Sequence, residues 1–289
     1  MLGNHVITFH IIDNPSWWEH IVIGLKQRYN LIKMDDIESY YYNGSSLKRS
    51  CHITFDDGHK NIYENVFPLV KKHHIPISVY ISPKMISERK NYWFQEVEGF
   101  EKNNLLKFVE SIPEIDYESV KNKSLKEIFK SLPIDNIYNI ISEYKKRFKP
   151  ELIPYQNITM EQVLEMQESG LVTFGAHTVN HPVLPNETDE KAEYEIRTSI
   201  EWLSDLTGRR VIYWAFPNGD ATMREVKLLR KHGIRLAFST KFGTKFHRKA
   251  DPLRIPRTGF TYGSRGYLFT KLILGKYWDR LRTLKNKVT

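Results

Sequence analysis

Apolar residues recur along this chain with two periods that take turns. Short runs with a period near two, or fully apolar, read as strands: "VITFHII" (6–12), "HITFDD" (52–57), "IPISVYIS" (75–82), "LVTFGAH" (171–177), "VIYWAF" (211–216) and "IRLAFST" (234–240). Between them the period lengthens towards that of a helix. Ile196, Ile200, Leu203 and Leu206 form one apolar stripe. Thr159 with Gln162, and Thr222 with Glu225, have the spacing of capping boxes, and Gly170 and Gly233 stop the helices they open. Ile62, Phe67, Leu69 and Val70 suggest a helix kinked near Pro68. Strands alternating with helices predict a parallel sheet, either open and doubly wound or closed into a barrel. In both, ligands bind at the carboxyl ends of the strands. Chemistry-bearing residues stand there: His10, Asp56 and Asp57, His177, and Pro217-Asn218-Gly219.

The stretch from about 91 to 157 breaks the alternation. It is charged, helix-like and without a strong strand, so it reads as a helical insertion between two strand–helix units, either a cap over the site or a partner surface. No low-complexity linker flanks it, and a single domain spanning 1–289 is expected.

The net charge of +9 is concentrated at the end of the chain. Residues 264–289 carry seven Lys/Arg and one Asp, hence 7 − 1 = +6, with Leu274, Tyr277, Trp278, Leu281, Leu284 and Val288 at spacings of three or four. This basic amphipathic segment, weakened by Gly275, would either lie on an anionic membrane surface or dock on the domain with its basic face in water. No nucleic-acid motif accompanies the charge. The N-terminus lacks the pattern of a secretory signal, and a lone cysteine excludes an internal disulfide framework, so a cytoplasmic protein, peripheral at the inner membrane face, is expected. Cys51 as a nucleophile would need a base, yet its neighbour His52 points to the opposite face of a strand; a buried, structural Cys51 is expected.

In "TFDDG" two adjacent carboxylates end a strand, where they repel one another unless a cation intervenes. Asp-Gly is also ordinary turn chemistry. The second motif, "HTVNHP", sets His177 and His181 four apart; Pro182 disfavours a helix there, but a strand end and tight loop can still bring the imidazoles together. A histidine pair alone is often structural. Two imidazoles and one carboxylate, however, make a three-ligand divalent-metal site, and the other carboxylate is then free to act as a base.

Together "TFDDG" and "HTVNHP" resemble the polysaccharide deacetylases of carbohydrate esterase family 4, which share the NodB-homology domain. The resemblance covers His5 to about Phe260, apart from the insertion. It implies a distorted (β/α) barrel, seven-stranded, and a hydrolase that removes N-acetyl groups from amino sugars with one divalent ion, zinc or in its place cobalt, nickel or manganese. Matched by position, Asp57, His177 and His181 fall on the metal ligands and Asp56 on the general base. Two features depart from the family. Ala215 stands where many members carry an arginine, although "FPNGD" keeps the turn in which the Asn218 backbone N–H would hold an oxyanion. The late histidine motif that supplies the acid is missing. A permuted subgroup similar to the poly-N-acetylglucosamine deacetylases places that histidine in the first strand, and His10 matches it; the alternative is that His10 caps a strand. Arg257 in "RIPR" would support the site.

The expected substrate is an N-acetylated amino-sugar glycan or a lipid-linked sugar, the latter suiting a basic segment on a membrane. Trp93 and Trp214 would stack on sugar rings or pack in the core. A metal-dependent phosphoesterase and a non-catalytic carbohydrate-binding homologue are the rival readings. Nothing in the sequence sets the oligomeric state.

Overall fold

The computed structural model describes residues 3–275, apart from 113, 114, 116, 117, 119, 120, 241 and 242. All six anticipated strands form: β1 (His5–Phe9), β3 (Ser50–Asp56), β4 (Ile77–Ile81), β5 (Val172–Ala176), β6 (Tyr213–Ala215) and β7 (Leu236–Ser239). Three two-residue strands join them, β2 (Asn30–Leu31), β8 (Ile255–Pro256) and β9 (Thr258–Gly259). The sheet runs β8-β7-β6-β5-β4-β3-β1-β9, with β2 alongside β3, and every pairing within it is parallel.

The strand count therefore differs from the seven expected: among the described residues there are nine strands, eight of them on one path. The extra ones are too short to leave a hydrophobic period in the sequence. The last two flank Arg257 in one extended segment, which pairs with β7 on one side and β1 on the other. That segment draws the two ends of the sheet together into a distorted barrel.

Helices surround the barrel: α1 (Pro15–Lys26), α2 (Met34–Tyr42), α3 (Phe67–His73) and α4 (Pro83–Ser87) precede the insertion. The period of two divides each strand between them and the interior. Ile53, Phe55, Ile77 and Val79 pack with Trp18, Ile21, Val66 and Val70 of the helical layer, whereas His52, Thr54 and Asp56 alternate with them and point inward. The kink anticipated at Pro68 is a π-helical turn, Ile62–Val66, running into α3, whose first turn holds the proline.

The insertion folds as α5 (Trp93–Glu98), α6 (Lys102–Glu110), α7 (Leu125–Lys130) and α8 (Ile134–Phe148), around an apolar cluster of its own that includes Trp93, Phe129, Ile137 and Tyr144. Then come α9 (Met160–Glu168), α10 (Asp189–Thr207), α11 (Met223–Lys231) and α12 (Arg265–Leu274). Both predicted capping boxes form, at the starts of α9 and α11. The stripe Ile196-Ile200-Leu203 on α10 is buried.

Helix α12 is the described part of the basic C-terminal segment. Leu268, Phe269 and Leu272 dock on the barrel cluster, and Arg28 lies over the Phe269 ring at 4.1 Å. Tyr277, Trp278, Leu281, Leu284 and Val288 lie outside the described residues. Among those described, no helix is long and apolar enough to cross a membrane.

Cys51 is buried in β3, and burial pushes its thiol pKa up, as suits an inert core residue. Its neighbour His52 is buried on the other face: Nδ1 donates to Ile32 O at 2.7 Å and Nε2 lies 2.9 Å from Ser78 Oγ. Trp214 packs in the core with no exposed surface, so it offers no platform to a sugar.

Candidate metal centre and catalytic cavity

All seven residues singled out from the sequence, His10, Asp56, Asp57, His177, His181, Asn218 and Arg257, line one cavity of about 410 Å³ at the carboxyl ends of the strands. A groove of about 540 Å³ between α4, α8 and α10 is larger. Among the described residues, however, the one cluster able to hold a metal is Asp57-His177-His181, in the smaller cavity.

Asp56 is the last residue of β3 and its carboxylate points into the barrel. Arg257, from the segment that closes the barrel, is 2 % exposed; its Nη1 and Nη2 donate to Asp56 Oδ1 and Oδ2, both at 2.7 Å. Nη1 also reaches Thr54 Oγ1 at 3.2 Å. Burial pushes the Asp56 carboxyl up, but the Arg257 guanidinium, helped by His177 and His10, more than reverses this and holds it below the usual carboxylate range. His10, just past β1 and half exposed, brings Nε2 to 3.7 Å from Asp56 Oδ2.

Asp57 turns away from its neighbour because its backbone is left-handed, with φ 69°, and Gly58 follows with φ 69°. A Cβ at Gly58 would also come within 2.8 Å of Ile81 Cγ2, so only glycine fits this turn. Asp57 Oδ1 is buried without a hydrogen-bond partner, with His181 Nε2 at 3.3 Å and His177 Nε2 at 3.5 Å. Its pKa is held well below the usual range: burial opposes ionisation, and the three imidazoles of His181, His10 and His177 overcome it.

The donor set fits a divalent cation. Ligands about 2.0–2.1 Å from a tetrahedral zinc stand roughly 3.3–3.4 Å apart, close to the two separations at Asp57. His177 Nδ1 donates to Ala215 O at 2.7 Å, which leaves Nε2 as the lone-pair nitrogen aimed at Asp57. Burial pushes the His177 pKa down to about 4, so the ring is neutral and able to ligate. The His181 ring is held by edge contacts with Tyr92 and Phe94, centroids 5.5 and 5.1 Å away.

The loop between the two histidines is strained. Thr178 and His181 have φ of 67° and 59°, and a β-branched residue in that region is uncommon. Glu195 holds it there: its carboxylate accepts from Val179 N and Asn180 N, each at 2.9 Å, and from Asn180 Nδ2 at 2.6 Å. Burial pushes the Glu195 pKa up. This residue was not anticipated. Its one sequence signal is a charge on the buried face of α10, in step with Ala192 and Ser199. Ser82, also unanticipated, donates from Oγ to His177 O at 2.9 Å.

Asn218 lies in the turn after β6 with φ 57°, the side chain Nδ2 buried and without a partner. From the insertion, Trp93, Phe94 and Gln95 line the cavity. Trp93 is 2 % exposed and stacks on Phe129, with Nε1 donating to His181 O at 3.4 Å; Phe94, half-buried, is the more available ring.

Comparison with known proteins bears on the family and the fold. The sequence profile described as polysaccharide deacetylase matches residues 43–237, more than half of the chain. The poly-beta-1,6-N-acetyl-D-glucosamine N-deacetylase of Staphylococcus aureus is 28% identical over 165 residues, covering 53% of this chain and 56% of that protein. Its Staphylococcus epidermidis counterpart is 24% identical over 163 residues, 48% of this chain and 52% of that one. The chain thus spans about half the length of the curated relatives it matches. Among solved structures, the Streptococcus pyogenes deacetylase PplD in complex with acetate superposes with a TM-score of 0.64 at 15% identity, over 93% of this chain and 98% of that one. IcaB from Ammonifex degensii gives 0.64 at 18%, over 92% and 95%. At those identities the structural likeness is one of fold.

Proposed function

The chain belongs to the polysaccharide deacetylase family, and from that premise we propose that it hydrolyses the N-acetyl group of an amino sugar within a glycan, releasing acetate and a free amine. One observation carries the reading. Asp57, His177 and His181 each present one ligand atom, and these atoms lie within 4.8 Å of one another, while the adjacent carboxylate, Asp56, is held below the usual carboxylate range by a different partner, Arg257.

A divalent ion held by Asp57 Oδ1, His177 Nε2 and His181 Nε2, with zinc the first candidate for this donor set, would supply a Lewis acid for the acetamide carbonyl and lower the pKa of a water. Asp56 acts as the general base, taking a proton from the attacking water as its oxygen bonds to the acetyl carbon. Arg257 occupies both Asp56 oxygens from one side and so fixes the direction in which the remaining lone pairs point. The backbone N–H of Asn218 stabilises the developing oxyanion. As the C–N bond breaks, its electron pair leaves with nitrogen, and His10 supplies the proton that makes the departing group an amine. A lipid-linked amino sugar at the cytoplasmic membrane face remains part of the proposal; its motive is the basic C-terminal segment.

The test is acetate release from N-acetylated amino sugars, free, polymeric and lipid-linked, after chelation and after return of zinc, cobalt, nickel or manganese. Metal-dependent release is expected. Phosphate release from sugar phosphates in its place would favour a phosphoesterase, and binding without turnover a carbohydrate-binding role. Asp56→Asn should keep its metal and lose roughly a hundredfold or more in kcat, whereas His177→Ala should lose the metal itself. Full turnover in Asp56→Asn would remove Asp56 from the role of base.

A further inference from the structure

Two side chains that line the catalytic cavity take no part in the proposed chemistry, His59 and Phe94. His59 stands just past the turn that carries Asp57. Its Nδ1 accepts the backbone N–H of Asn61 at 3.3 Å, which places the ring proton on Nε2, across the ring from that contact. Nε2 has no partner among the described residues, and the side chain is half-buried in the cavity wall, so it offers a free donor there. The backbone beneath it is fixed. His59 pairs with Asn157, at the end of the insertion, in an antiparallel bridge, flanked by Lys60 N donating to Gln156 O at 2.7 Å and Ile158 N donating to Gly58 O at 2.8 Å.

Phe94 is tied to the same place. Its neighbour Gln95 donates from Nε2 to Asn157 Oδ1 at 2.8 Å, and Asn157 Nδ2 donates back to Gln95 Oε1 at 3.1 Å. Tyr92 stacks on the Phe94 ring, with centroids 5.2 Å and planes 13° apart, and the ring meets the His181 imidazole at 5.1 Å. Through Asn157, then, a free N–H donor and a half-buried aromatic ring are held on the insertion side of the cavity, beside a metal ligand. A pyranose matches that pair: its C–H face packs on an aromatic ring, and its hydroxyl oxygens accept hydrogen bonds. The cavity, about 410 Å³, is in the range that encloses a drug-sized ligand rather than an acetamide alone. His10, which would meet the departing amine, follows β1, whereas the insertion leaves the rim after β4, and β3 stands between them. At about 4.8 Å per strand that is a separation of about 10 Å, wider than a single pyranose ring.

We infer that His59 and Phe94 form a subsite for the sugar next to the one that loses its acetyl group, Phe94 packing on its ring and His59 Nε2–H donating to one of its hydroxyl oxygens. They are then specificity-determining residues that make the substrate an oligomer rather than a free amino sugar. The inference rests on the deacetylase reading for its placement, but its test separates the two. The full chain with zinc is given N-acetylglucosamine, its β-1,4-linked trimer and its β-1,6-linked trimer. Acetate release is measured for the unsubstituted protein, for Phe94→Ala and for His59→Ala. Binding of the same three sugars to each protein is measured by calorimetry. Zinc content is checked in each, because His59 lies two residues from Asp57.

The expected result is a preference for at least one trimer over the monosaccharide. Phe94→Ala should lower kcat/KM for that trimer roughly tenfold more than for the monosaccharide, and His59→Ala roughly fivefold more. Both losses should fall mainly on KM, since contacts to a sugar that does not react are made equally in the ground and transition states. Should His59→Ala lose its zinc, Phe94→Ala alone decides. No preference for either trimer, or an equal loss on trimer and monosaccharide, overturns the inference. If no sugar releases acetate, the deacetylase reading has failed, and binding still decides: tighter binding of a trimer that the substitutions weaken upholds the inference, and length-independent or absent binding overturns it.

Discussion

Replacing Arg257 by methionine isolates what the barrel-closing segment does for Asp56. Both Asp56 oxygens lie 2.7 Å from guanidinium nitrogens, and the two residues are 4 % and 2 % exposed. At an effective dielectric constant of about 20, unit charges roughly 4 Å apart attract by about 4 kcal/mol. Removing one member of a buried pair costs about 3–5 kcal/mol, because the survivor is left as an uncompensated buried charge. The two routes agree, so Arg257→Met should lose about 3–5 kcal/mol unless Asp56 takes up a proton and limits the loss. The same logic makes Asp56→Asn destabilising, since Arg257 is then the stranded charge. The pair of substitutions together should cost less than the sum. Urea unfolding at neutral pH, with chelator present so that metal binding does not contribute, would give the four free energies of the cycle. A coupling of at least about 2 kcal/mol is expected for a buried, bidentate contact. Additivity within about 0.5 kcal/mol would show that Arg257 and Asp56 act independently and would refute the reasoning. In activity, Arg257→Met should move the acid limb of the rate profile to higher pH, because Asp56 loses the charge that holds its pKa down.

Glu195→Ala should release the strained loop between the metal histidines and weaken zinc affinity about 10–100-fold, measured by competition with a chelator, with little change in the fold; unaltered affinity would mean that packing alone holds the loop. His52 accounts for part of the acid sensitivity. Burial lowers its pKa from 6.5 to about 4, so the unfolded chain binds the extra proton between those values, and stability present above pH 6.5 is lost as pH falls. The loss is about 3 kcal/mol by pH 4, and His52→Gln should flatten that part of the unfolding free energy curve; an unchanged slope would contradict the assignment.

The sequence by itself determined the six longer strands and which residues gather at their carboxyl ends. A period of two requires that one set of side chains meet the helical layer and the other face inward, so Ile53 and Phe55 already implied that His52, Thr54 and Asp56 share the opposite face. Parallel pairing then brought the residues after each strand to one rim, which is why His10, Asp56, Asp57, His177 and Asn218 were legible as one site although up to 208 positions separate His10 from Asn218. Short elements left no such trace. Strands β2, β8 and β9 are two residues each, and their pairing is imposed by neighbours rather than by any local pattern. Tertiary structure alone decided that Arg257 meets Asp56 and that Glu195 braces a loop sixteen residues before it at Val179. Each is one side chain's small set of polar contacts to another segment. A hydrophobic period is written many times over in a sequence, but which buried charge finds which partner is fixed only when the barrel closes and each carboxylate must be satisfied within it.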